Sequence, residues 1–174
     1  MDTTTAIQQL DIPLNSDIFF KTLIRELAGT LEAVIGYEEA AGYISLVGQS
    51  MGDWINSLYT RELGVASLSR EQVAQVLVDL KQRIGGDFSI VTQDRRKIIL
   101  SSSSCPFQDA VLDRPSMCMM TSNVFGVITA TNLGYAKVVL EETCSTGCGQ
   151  CRITIYLEQG PEAETAQGRE YYGD

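Results

Sequence analysis

The stretch Cys144-Ser-Thr-Gly-Cys148-Gly-Gln-Cys151-Arg-Ile-Thr-Ile-Tyr-Leu-Glu158 reads as a cysteine-rich turn running into a β-strand. Cys151, Ile153, Ile155 and Leu157 alternate with Arg152, Thr154, Tyr156 and Glu158, the period of two that gives a strand one apolar face. That register places the Cys151 thiol on the apolar side. Upstream, residues 136–143 are apolar enough to form the preceding strand, so residues 144–150 become the connection between a strand pair.

Working outward, the other two cysteines, Cys105 and Cys118, lie a short way upstream. All five therefore fall between residues 105 and 151, in a chain without histidine. This composition excludes Ser-His-Asp and Cys-His catalysis and His-ligated zinc or haem, so a transition-metal site must lean on sulfur. Cys148-x2-Cys151 is a chelating spacing, because two intervening residues let both sulfurs turn towards one ion. Gly147 and Gly149 permit a tight turn and leave backbone N–H groups near sulfur. The expectation is that four of Cys105, Cys118, Cys144, Cys148 and Cys151 hold one iron–sulfur cluster or another metal, zinc being the alternative. Redox thiols and buried inert cysteines are the competing readings.

Cys144-x3-Cys148-x2-Cys151 also matches the spacing of radical S-adenosylmethionine enzymes. The 23 residues after Cys151 are too few for the barrel that follows that motif. A thioredoxin-like site is disfavoured because its CxxC opens a helix, whereas Cys151 enters a strand. The expectation is that the chain is not an enzyme, with thiol redox activity as the enzymatic alternative.

The first half is helical. Asn15 or Ser16 caps a helix carrying Phe20, Leu23, Ile24, Leu27, Leu31 and Val34, ended by Gly36. A second helix runs from about Glu38 to Arg61. Its seam is Ala40, Ile44, Val47, Met51, Trp54 and Leu58, with Ala41, Gly48 and Gly52 as small residues. Glycine within a helix is disfavoured by roughly 1 kcal/mol relative to alanine, which close approach of another helix would offset. That helix belongs to the same chain or to a partner. Ser69 and Gln72 form a capping box for a third helix through Val73, Val76, Leu77, Leu80 and Ile84, stopped by Gly85-Gly86. Residues 87–91 and 97–101 read as a hairpin, and Pro115-Ser116 opens a helix to about Asn132 with Cys118 in its first turn. A thiol there sits near the positive end of the helix dipole, which favours thiolate.

The fold class is α+β: N-terminal helices on an antiparallel four-stranded sheet, with a further helix between the two strand pairs. Residues 1–14 read as an arm docked through Ile7, Leu10 and Ile12. Residues 15–158 form one domain, and residues 159–174 a flexible acidic tail. The net charge of −9 and pI near 4.5 argue against nucleic acid and anionic membranes as partners. The acidic, polar Met1-Asp2-Thr3-Thr4-Thr5 is unlike a signal peptide, so a cytoplasmic location is expected.

Ser104-Cys105-Pro106-Phe107, Pro115-Ser116-Met117-Cys118 and Gly149-Gln150-Cys151-Arg152-Ile153 together resemble the methanogen output domain. They are also similar to the related 4-vinyl-reductase (hydrocarbon-binding) domain and to the cysteine-bearing sensor domain of iron–sulfur-responsive suf repressors. The order of helices and strands agrees over roughly residues 15–158. The resemblance implies a sensory or ligand-binding domain, commonly a homodimer, in the superfamily that includes TRAPP trafficking subunits and haem–nitric-oxide-binding domains. It implies roles for Cys105, Cys118 and Cys151 by position, but not for Cys144 and Cys148. The suf repressors' DNA-binding helix-turn-helix has no counterpart here, and the haem branch's histidine is missing. The resulting expectation is a sensor of redox state, gas or cluster status that signals to a separate output protein. The alternative is a module for a small hydrophobic ligand with a structural zinc.

Overall fold

The structure, a computed structural model, describes residues 9–147 and 149–173. Helix α1, Ser16–Ile35, starts where the Asn15 side chain accepts a hydrogen bond from the Ile18 N–H. Helix α2, Tyr37–Leu63, follows directly, and its end is closed by Gly64 in the left-handed region. Helix α3, Arg70–Arg83, carries the full Ser69–Gln72 capping box. Strands β1, Ser89–Gln93, and β2, Lys97–Ser102, form the hairpin. Helix α4, Pro115–Leu133, has proline in its first turn and ends at Gly134. Then come β3, Tyr135–Glu142, β4, Cys151–Tyr156, a short helix α5, Pro161–Thr165, and β5, Arg169–Tyr172.

The α+β class holds, with one more strand than the sequence indicates. The sheet is antiparallel in the order β1-β2-β4-β3-β5. β4 is its centre, pairing Ile153 with Leu100 on one side and with Leu140 on the other. Ile98, Leu100, Ile153 and Ile155 are fully buried and meet Val73 and Leu77 of α3 and Phe125 and Ile128 of α4. Each such side chain contributes about 1.5–3 kcal/mol on burial. Helix α2 lies across α4 on the side away from the sheet, and α1 packs on α2.

Three expectations are corrected. Residues 159–174 are not a loose tail where described: β5 pairs with the outer edge of β3, and Tyr171 is buried with its hydroxyl 2.9 Å from Ser122 Oγ. Backbone pairing and one aromatic anchor order this segment, neither of which leaves a periodic apolar pattern. Leu10 and Ile12 of the arm are exposed rather than docked, and Ile7 lies outside the described residues. The seam of α2 is rotated. Ala40, Ile44, Gly48 and Gly52 are buried, and Gly48 and Gly52 are the points of closest approach to α4. Val47, Met51 and Trp54 face outward. Small residues win the inner face because they let two backbones approach.

Candidate functional site, a thiol-lined cavity

The end of the sheet where β4 begins carries the chemistry. Cys151 opens β4 opposite Ser102 of β2. Cys144 starts a single 3-10 turn, Cys144–Thr146, and the next residue, Gly147, takes φ 78°. This turn folds Cys144 back over the strand. Its backbone N–H donates to Cys151 Sγ at 3.3 Å, and the two sulfurs are 3.2 Å apart.

Two further thiols reach the same place from other elements. Cys118 sits in the first turn of α4. Cys105 sits in the loop that leaves β2. Cys105, Cys118, Cys144 and Cys151 all line one cavity of about 20 Å³. That is room for about one water molecule or one metal ion. Its other walls are mostly apolar, including Phe88, Phe107, Met117 and Ile153, with Lys81, Thr121 and Thr143 the polar exceptions.

The loop carrying Cys105 is held under constraint. Gln108 and Asp113 have φ of 49° and 55°, values that residues other than glycine seldom adopt. Arg25 of α1 donates to the Ala110 and Leu112 carbonyls at 2.8 and 2.6 Å. The Asp113 N–H donates to the Ser145 carbonyl, joining this loop to the cysteine turn. Val111, Met117 and Cys144 also share an apolar cluster with Ala28 of α1 and Ile44 of α2.

Burial pushes the Cys105 thiol up, against the Phe107 N–H and the Lys81 ammonium, both of which favour thiolate. Burial pushes the Cys118 thiol up as well, opposed by hydrogen bonds from Ser145 and Thr143. At Cys118, therefore, desolvation outweighs the hydrogen bonds that favour thiolate. Lys81 is 5% exposed and lines the cavity from α3. Its Nζ donates to Thr121 Oγ1 at 2.8 Å and lies 5.5 and 5.3 Å from the ring centroids of Phe88 and Phe125. Burial lowers its pKa to about 8, resisted by the three thiols Cys105, Cys151 and Cys118.

The cysteines predicted from the sequence thus converge, four of them on one cavity. Cys148 lies outside the described residues. Among the described residues, no three His, Cys, Asp or Glu side chains are grouped to hold a metal ion. The sequence reading does not single out Lys81 or Thr121. The signal for Lys81 was present: it continues the stripe Val73, Leu77 at steps of four, on the buried face of α3.

Against known proteins, the model of methanogen output domain 1 matches residues 23–156, and the chain belongs to that family. Family membership points to a signalling role rather than catalysis. Among curated proteins, none matches the sequence. The fold is that of the phenol-responsive sensory domain of the transcription activator PoxR solved with phenol. The TM-score is 0.65 at 19% identity, over 88% of this chain and 80% of that one. It is also that of trafficking protein particle complex subunit 3 from Naegleria fowleri, solved covalently bound to palmitic acid. There the TM-score is 0.62 at 12% identity, over 82% of this chain and 97% of that one. At these identities the likeness extends to the fold alone. The relation to the suf repressors is not supported by these matches. No helix of the described residues is long and apolar enough to cross a membrane.

Proposed function

We propose that this chain is a cytoplasmic, non-catalytic sensory domain that receives its signal at the thiol cavity, where cysteine sulfurs hold one metal ion. The observation that carries the reading is the sulfur pair of Cys144 and Cys151, 3.2 Å apart in a cavity shared with Cys105 and Cys118. Tetrahedral zinc with bonds of about 2.3 Å separates two thiolate ligands by roughly 3.8 Å, a small opening from this geometry. The other two ligands would be Cys105 and Cys118, which line the same cavity. An iron–sulfur cluster is bulkier than the cavity, so a single ion is preferred. Loss of the ion by oxidation would free the turn at Cys144 and loosen the loop held by Arg25.

The test is metal analysis and an absorption spectrum on protein purified without oxygen. About one zinc per chain and no colour supports the reading. Iron with inorganic sulfide and broad visible absorption replaces the single ion with a cluster. Metal-free protein refutes both.

A second reading follows from the apolar walls: a small hydrophobic molecule enters the cavity after Phe88, Phe107 and Met117 move aside. Phenol-dependent thermal stabilisation of metal-free protein would favour it.

The output is read by a separate protein, with the domain working as a homodimer. Leu23, Leu27 and Val34 of α1 and Val47, Met51 and Trp54 of α2 are exposed apolar side chains on adjacent helices. A second copy of the chain would cover them.

A further inference from the structure

A groove opens where α2, α4 and β5 meet. Gln49 and Asp53 of α2 are four residues apart, as are Asn123, Val127 and Thr131 of α4, so each set lies on one helix face. The close approach of the two helices at Gly48 and Gly52 sets these faces side by side, and Arg169 and Tyr171 of β5 close the groove. Its volume is about 480 Å³, within the range of small-molecule sites, and it shares no lining residue with the thiol cavity.

The polar groups of this groove are held in place from behind. Ser45, one turn before Gln49, is 3% exposed. Its hydroxyl donates to the Ala41 carbonyl at 2.7 Å and accepts from Asn123 Nδ2 at 3.0 Å and from the Arg169 guanidinium. That uses the one proton and both lone pairs of a hydroxyl. Asn123 Nδ2 donates its second proton to the Met119 carbonyl at 2.7 Å, so the amide oxygen is what Asn123 brings to the groove. Arg169 commits one N–H to Ser45 and lies over the Tyr171 ring, 6.0 Å from its centroid. Among the described residues, neither Arg169 nor Asp53 forms an ion pair, whereas Glu170 is paired with Lys137 at 3.6 Å. In other grooves of similar size the cation is already neutralised, Arg96 by Glu158 and Arg152 by Glu141.

We propose that this groove binds a free amino acid, with its carboxylate on Arg169 and its ammonium on Asp53 and the Asn123 amide oxygen. A guanidinium fixed at one N–H keeps further donors for a carboxylate, and the two acceptors suit an ammonium. A zwitterion answers both unpaired charges at once, where a simple anion would meet Asp53 as a like charge. Val127 and the Tyr171 ring supply apolar surface for the ligand's side chain. The site stands apart from the thiol cavity, and neither reading depends on the other.

The probe is a pool of the proteinogenic L-amino acids, screened against wild type by ligand-observed NMR. Wild type is expected to bind at least one of them. Calorimetry with that amino acid then compares wild type, Arg169→Met and Asp53→Asn. Affinity should fall by at least about tenfold in each variant, the scale of a lost charge-assisted hydrogen bond. Asp53 is exposed, so Asp53→Asn keeps the fold and carries the test should Arg169→Met, which also loses its bond to Ser45, unfold. The same ligand without its amino group should bind more weakly, and equally to wild type and Asp53→Asn. Wild-type protein that binds no member of the pool overturns the proposal, as does an affinity unchanged in Asp53→Asn or in folded Arg169→Met. Binding of the deaminated acid as tight as that of the amino acid makes this a plain carboxylate site and overturns it too.

Discussion

Gly52 of α2 lies so close to Val127 of α4 that a β-carbon on the glycine would sit 2.8 Å from the valine Cβ. Gly48 stands in the same relation to Asn123, at 2.7 Å. Both alanine substitutions improve helix propensity yet overfill the interface. We expect Gly48→Ala and Gly52→Ala each to lower unfolding free energy by about 1–3 kcal/mol in urea titrations. A neutral or stabilising effect at both would mean that α2 does not ride on α4 this closely.

At the thiol cavity, Cys144→Ser and Cys151→Ser each replace one member of the sulfur pair with a harder oxygen. Zinc content should fall from about one equivalent to near zero in either variant, by elemental analysis of dialysed protein. Full retention in Cys151→Ser would remove that residue from the ligand set.

Asp87 ties the end of β2 to the approach of β1. Its carboxylate accepts from the Ser102 and Ser103 hydroxyls and from the Ser104 N–H. Those bonds, the Ser102 hydroxyl foremost, hold its carboxyl down at about 2, against an ordinary value of 3.8. A depressed carboxyl contributes stability that is complete above its unfolded value and is lost as pH falls through the folded one. The melting temperature should therefore drop between about pH 4 and pH 2, and Asp87→Asn should flatten that part of the profile. Parallel profiles for the two proteins would show that the drop comes from other carboxylates.

The last strand is anchored by Tyr171, whose ring occupies the space that a side chain at Gly126 would fill. Tyr171→Ala should destabilise the fold by about 3 kcal/mol and speed amide exchange at residues 169–172 and along β3. Exchange already fast in wild type would contradict a docked β5.

Trp54 and Val47 project from α2 into solvent at 55% and 53% exposure. If a second copy covers them, Trp54→Asp should shift the chain from dimer to monomer in light scattering, with its circular dichroism unchanged. A wild-type chain that is monomeric at tens of micromolar would refute the dimer.

The sequence discloses the parts of this fold that rest on local chemistry. Asn15 and Ser69 act as caps, Gly36, Gly64 and Gly134 as stops, and Ile153 and Ile155 carry the strand alternation through to the core. It also proposes one site for four of Cys105, Cys118, Cys144, Cys148 and Cys151 without saying which four; Cys105, Cys118, Cys144 and Cys151 line one cavity, and Cys148 lies outside the described residues. What it hides depends on partners far along the chain. Arg169-Glu-Tyr-Tyr172 has no apolar period and becomes a strand because the edge of β3 offers it hydrogen bonds. The spacing of Lys81 four residues after Leu77 marks it for the buried face of α3, but its partners Thr121 and Phe125 come from α4, far along the chain. The inner face of α2 is misread because size, rather than hydrophobicity, decides which residues meet α4.

The placement of β5 bears on how the chain is made. When β4 leaves the ribosome, both of its neighbours, β2 and β3, already exist, so the centre of the sheet can assemble at once. The outer edge of β3 waits longer: its partner, β5, is synthesised later than β4, after α5. During that interval the nascent domain carries a bare strand edge and an unfilled groove at Gly126, the features that invite pairing with a neighbouring chain. Speed of synthesis between β4 and β5 would then set how long that edge stays bare.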